Sequence, residues 1–185
     1  MKISALSGVL IAASCILSVQ APANAQDLSP ELRAKLPVVS LAGQAKLRFF
    51  GFAVYQASLW VSPGFSESAY EQSSFALDLA YLRNFKGADI ATRSLTEMQR
   101  QATLPAEQQT RWENQMRAIF PDVTAGDRIT GVNQPGVGAA FWHNGRFIGE
   151  IRDPVFSRLF FGIWLATKTS EPALRLALLA QAKAK

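Results

Sequence analysis

The chain has 185 residues, 49% of them hydrophobic and 18% charged, with a formal net charge of +5. The apolar fraction excludes a disordered polar chain, and the length suits one ordinary domain able to bury a sizeable core. The basic residues are scattered singly, which argues against a nucleic-acid interface, and the single cysteine, Cys15, rules out a disulfide framework or a thiolate metal site.

The N-terminus has the pattern of an export signal. Lys2 supplies the positive start, Ile3 to Val19 is mostly small and apolar, and Ala23-Asn24-Ala25 forms a small-residue cleavage site ahead of Gln26. Cleavage after Ala25 is expected, with residues 26–185 forming a single domain in a bacterial periplasm. A lesser alternative is lipidation at Cys15. Ala12-Ala13-Ser14-Cys15 loosely matches a lipoprotein box, but the usual Leu is missing at its first position and the apolar run continues past the cysteine. No later segment reaches the roughly 20 apolar residues needed to span a bilayer.

The elements follow in chain order. Residues 28–36 suit a short helix capped by Ser29, with Pro30 in its first turn. Residues 38–41 and 46–50 read as strands separated around Gly43. Phe52–Val61 alternates as a strand and ends at Ser62-Pro63-Gly64. Residues 75–82 form another, with Phe75, Leu77, Leu79 and Tyr81 on one face. Beyond Gly87 the period becomes helical over 88–102, with Ile90, Leu95 and Met98 on one face. Leu104-Pro105 breaks that helix. A second covers 105–120, with Trp112, Met116, Ile119 and Phe120 on its face, and stops at Pro121-Asp122.

The stretch over 127–165 carries the plainest local signals. Asn144-Gly145 separates two apolar runs, and an Asn-Gly pair accepts the positive φ that a type I′ hairpin turn demands. Gln134-Pro135-Gly136 supplies a second turn. Three antiparallel strands are therefore expected over 127–133, 137–143 and 146–152. Asp153-Pro154 then opens a helix, since Asp accepts from free N–H groups and Pro suits the first turn. Val155, Phe156, Leu159, Phe160, Ile163 and Trp164 give it one broad apolar face, which serves as core or as the wall of a ligand cleft. Ser170-Glu171-Pro172 starts a last helix over 174–182, and 183–185 is a frayed tail. Strands, two helices, three strands and two helices make an α+β domain: an antiparallel sheet with helices on one face. No strand–Gly-rich loop–helix unit suggests a nucleotide fold.

Three blocks carry a family resemblance: LRFFGFAVYQASLWV over 47–61, FKGADIATRSLTEM over 85–98, and the hairpin block with Glu150 and the helix up to Gly162. Together they resemble the chalcone isomerase superfamily in its bacterial chalcone isomerase-like branch, over about residues 41–179. The resemblance implies an open-faced β-sandwich, a curved antiparallel sheet covered on one face by a layer of helices, with a ligand cleft between them. It also implies three kinds of function: cyclisation of chalcones, binding of fatty acids, or non-catalytic assistance to partner proteins. Aligning on Val54-Tyr55 puts Phe50 where the plant enzymes carry a catalytic-site Thr, and aligning on Gly162 puts Leu159 near their second cleft hydroxyl. Both positions are apolar, which speaks against cyclisation.

Four residues are candidates for ligand binding. Arg48 stands among Leu47, Phe49 and Phe50, as a solvated edge residue or as the anchor of a planar anion. Tyr55 and Tyr81 are strand residues, in the core or donating to a ligand head group. Arg93 lies on the first long helix, near the position of a basic cleft residue in the plant enzymes, and Glu97 is one turn away and placed to pair with it on the helix surface. His143 reads as a turn-flanking surface residue, Glu150 as an outward strand position and Asp153 as a helix cap. No set of side chains has metal-ligand spacing, and no cofactor is expected. The sequence reading is a periplasmic, non-catalytic binder of a fatty acid or similar amphipathic anion. Its alternatives are an isomerase (intramolecular lyase) of chalcone-like enones and a structural or partner-assisting domain.

Overall fold

Among the described residues, six strands and four α-helices build the fold. They are β1 (Ser40–Phe49), β2 (Phe52–Val61), β3 (Phe75–Tyr81), α1 (Gly87–Gln99), α2 (Ala106–Ile119), β4 (Arg128–Gln134), β5 (Gly138–His143), β6 (Arg146–Ile151), α3 (Pro154–Leu165) and α4 (Pro172–Leu178). The computed structural model describes residues 33, 35, 36 and 38–182. The expected signal segment with its cleavage site, Cys15 and the tail over 183–185 lie outside the described residues. So does most of the helix expected over 28–36, of which Arg33 and Lys35 are helical.

The strands form one antiparallel sheet in sequence order, β1 to β6. This is the α+β open-faced arrangement expected from the order of elements. Two local differences have physical causes. The two short strands expected around Gly43 are a single strand, β1, because a register shift between Leu41 and Gly43 absorbs the irregularity. A Cβ at Gly43 would lie 2.1 Å from the Ala177 carbonyl oxygen, so the glycine lets α4 pack directly on β1. The last helix is also shorter than expected. It ends at Leu178, and the Gln181 N–H donates to the Ala42 carbonyl at 2.7 Å, tying the chain back to β1. A 3-10 helix, Glu67–Gln72, occupies the β2–β3 connection and was not evident from periodicity.

The helices cover the sheet face that carries Ala57, Leu59, Phe75, Leu77, Leu79 and Tyr81. Burying each large aromatic or aliphatic side chain there contributes about 1.5–3 kcal/mol. Helix α3 is the centre of this layer. Asp153 caps it as expected, accepting from the Val155 N–H at 2.9 Å and the Phe156 N–H at 3.1 Å. Its burial is wider than the expected face. Val155 is exposed, while Phe161 is fully buried and packs edge-on against Phe75 at 4.8 Å. Gly131 makes this possible, since a Cβ there would sit 3.1 Å from the Phe161 ring. The opposite sheet face carries a smaller cluster that includes Trp60, Val132 and Trp142. Buried Asp78 lies there too, bonded by Arg128 and by the Thr130 hydroxyl at 2.7 Å. Among the described residues, no helix is long and apolar enough to cross a membrane.

Candidate functional site

Helices α1, α3 and α4 do not close completely over the β1–β4 end of the sheet. A cavity of about 330 Å³ remains there. Leu47, Leu79 and Ile129 form its floor from the sheet, and Ile90, Phe160 and Ile163 its roof from the helices. Such a wall favours a hydrocarbon, and the few polar groups in it fix what else the ligand carries.

Two of those groups are phenols. Tyr55 on β2 and Tyr81 on β3 are direct register partners, so the pleat sends both rings to the helix side. The rings meet edge to face with centroids 6.1 Å apart. The Tyr55 oxygen accepts from the Trp164 indole N–H at 2.9 Å, leaving its own proton to donate elsewhere. Among the described residues, the Tyr81 hydroxyl has no hydrogen-bond partner. Burial pushes the pKa of both phenols well above the ordinary 10.0. They are therefore neutral donors throughout the physiological range.

The third polar group is Arg93 on α1. It pairs with Glu97 at 2.7 Å, the partnership expected from their spacing. Glu97, however, is buried and not on the helix surface. Arg100 approaches its other oxygen at 3.6 Å, so the carboxylate is held between two guanidinium groups while Arg93 remains largely exposed. Ser94, Asp89 and Glu171 also line the cavity.

Tyr55, Tyr81 and Arg93 thus come together in one cavity, whereas Arg48 does not line it. The Arg48 guanidinium donates to the Gly51 carbonyl at 3.1 Å in the exposed β1–β2 turn. Neither position aligned with a plant-enzyme hydroxyl lines the cavity. Phe50 is in that same turn and Leu159 is sealed in the core. The sequence alignment places Phe50 in the cleft, but the strand ends one residue earlier and turns it outward. His143 is outside the cavity, with Nε2 3.8 Å from Asp127. Sequence reasoning missed Trp164 as the Tyr55 partner. A buried indole N–H favours an acceptor, but nothing local in the sequence says which one.

Chemically, the site offers two neutral O–H donors and the Arg93 guanidinium, already paired with Glu97, beside an apolar wall that Asp89 and Glu171 also border. That set can hold a carboxylate or phenolate with a hydrocarbon tail. A family model described as chalcone isomerase-like matches residues 26–180. No curated protein sequence matches the chain. Among solved structures, the crystal structure of the Arabidopsis thaliana fatty-acid binding protein AtFAP1 is similar, with a TM-score of 0.62 at 11% identity. The match covers 78% of this chain and 88% of that one, and at this identity it shows a shared fold.

Proposed function

Since the chain belongs to the chalcone isomerase-like family, we propose that it is a non-catalytic binder of a fatty acid or similar amphipathic anion. The observation that carries this reading is the Tyr81 hydroxyl, the tip of a buried side chain that opens onto the cavity and has no hydrogen-bond partner among the described residues. The hydroxyl faces the cavity, and a hydrogen bond from it to a charged ligand oxygen would contribute about 1.5–3 kcal/mol. Tyr55 and Arg93 add a second donor and a cation for the same head group. The cavity, at about 330 Å³, lies near the lower end of the roughly 300–1,000 Å³ of ligand pockets. It suits a ligand with a short apolar tail. The fatty-acid binding protein of the same fold supports the choice of ligand class. The charged and apolar N-terminus with Ala23-Asn24-Ala25 supports export to the periplasm.

Native mass spectrometry of the purified protein, followed by lipid extraction, tests the reading. An organic acid should co-purify with the wild type and be lost from Tyr81→Phe and Arg93→Ala. A protein that carries no acid and removes chalcone absorbance faster than buffer would instead be an isomerase.

A further inference from the structure

Two hairpin turns in this protein have nearly the same backbone and opposite chemistry. Asn144-Gly145 has φ values of 49° and 81°, and Phe50-Gly51 has 48° and 80°. Asn suits the left-handed conformation, whereas a bulky aromatic residue is strained there. Phe50 is also 86% exposed, flanked by Phe49 at 55% and Phe52 at 62%, with Leu82 exposed beside them. The turn's conformation does not call for Phe50, and all three residues keep more than half of their surface exposed. A contiguous exposed apolar patch of this kind marks an interaction surface.

The charge around the tip narrows the partner. No Asp or Glu occurs between Glu31 and Glu67, while Lys46 and Arg48 lie in the β1–β2 hairpin. Arg48 donates only to the Gly51 carbonyl, and Arg83 lies 4.8 Å above the Phe52 ring. Among the described residues, neither has a carboxylate partner. Exposed rings among unpaired guanidiniums match the boundary of an anionic bilayer, where rings enter the acyl edge and cations meet the phosphates. The patch is continuous with the cavity, because Leu47, Phe49 and Val54 line it from the same hairpin.

We infer that the β1–β2 tip, Phe49-Phe50-Gly51-Phe52 with Arg48 and Arg83, docks on an anionic membrane surface and brings the cavity mouth to the lipid. The inference takes its purpose from the cleft reading, but docking is measured without any acid present.

The test uses vesicles of phosphatidylcholine with and without phosphatidylglycerol. The four native tryptophans are all buried, so the emission that Phe50→Trp adds to that of the wild type reports on the tip. Its emission should be quenched when the phosphatidylcholine is brominated, and only with phosphatidylglycerol present. In co-sedimentation, Phe50→Asn/Phe52→Thr should weaken vesicle binding about tenfold, and Arg48→Gln/Arg83→Gln about fivefold for each arginine. Asn is the residue the other turn already uses, so the first variant should fold. Absence of quenching, or a double variant that sediments like the wild type, would overturn the inference. So would a solution dimer that Phe50→Asn/Phe52→Thr splits, since the tip would then be a contact between copies of this chain. A protein that docks through the tip but takes up no acid supports this inference and defeats the cleft reading. One that takes up acid but shows no tip quenching does the reverse.

Discussion

The Trp164 indole N–H donates to the Tyr55 hydroxyl oxygen at 2.9 Å, joining residues 109 positions apart. This bond ties α3 to β2 across the cavity and orients the phenol so that its proton is free for a ligand. Tyr55→Phe leaves the indole unpaired in a largely buried place and should lower stability by about 1–2 kcal/mol. Trp164→Phe removes the same bond from the other side. In urea denaturation the double variant should lose less than the two single losses combined. Strict additivity would mean that the bond contributes nothing.

Tyr81→Phe should behave differently. Its hydroxyl has no hydrogen-bond partner among the described residues, so stability should change by no more than about 0.5 kcal/mol. Affinity for a fatty acid should fall roughly ten- to hundredfold, since a hydrogen bond to a charged group contributes about 1.5–3 kcal/mol. Calorimetric titration with a short-chain acid, alongside a melting curve, separates the two effects. Equal losses in both would make Tyr81 a core residue and nothing more.

The three tyrosines of the chain, Tyr55, Tyr70 and Tyr81, are all shifted upward by burial. Tyr70, which also donates to the Arg158 carbonyl at 2.9 Å, is pushed up to about 12. The fold therefore favours the neutral phenols. The stability this provides is complete below pH about 10, the ordinary phenol value. It is lost as pH rises through about 12. Between those limits the folded protein should show no phenolate absorbance, while the urea-unfolded chain titrates normally. Phenolate appearing near the ordinary value with native circular dichroism would contradict the burial of these side chains.

Asp153 holds two elements together. Its Oδ1 caps α3, and its Oδ2 accepts from the indole N–H of the fully buried Trp112 at 3.0 Å. Loss of the cap and of the Trp112 partner together should cost about 2–3 kcal/mol in Asp153→Ala. Asp153→Asn keeps an acceptor for the cap and should lose less. A shift in the urea midpoint no larger than that of an ordinary surface substitution would show that the cap is dispensable.

Much of the fold was legible because it rests on local chemistry. The Asn144-Gly145 turn, the Asp153-Pro154 helix start and the alternation of Phe75, Leu77, Leu79 and Tyr81 each depend on a few neighbouring residues. All three appear in the structure. The site was legible only in part. The period of β3 and the i,i+4 spacing on α1 point to Tyr81 and to the Arg93–Glu97 pair. The partner of Tyr55 was not legible, because β2 and α3 meet only after the chain folds. Phe50 shows the limit most clearly. Alignment on Val54-Tyr55 puts it at a cleft position, yet β1 ends at Phe49 and the two-residue turn carries Phe50 out to solvent.

The sequence by itself determined the order of elements, the family resemblance and the residue types available for a head group, since propensity, turn chemistry and alternation act over short distances. Only the tertiary structure decided which of those residues share a cavity. Register between β2 and β3 put Tyr55 beside Tyr81, the packing of α3 added Trp164, and the β1–β2 turn sent Arg48 and Phe50 outward. Those placements depend on long-range closure of the sheet and on how closely helices approach it at Gly43 and Gly131, which no short stretch of sequence encodes.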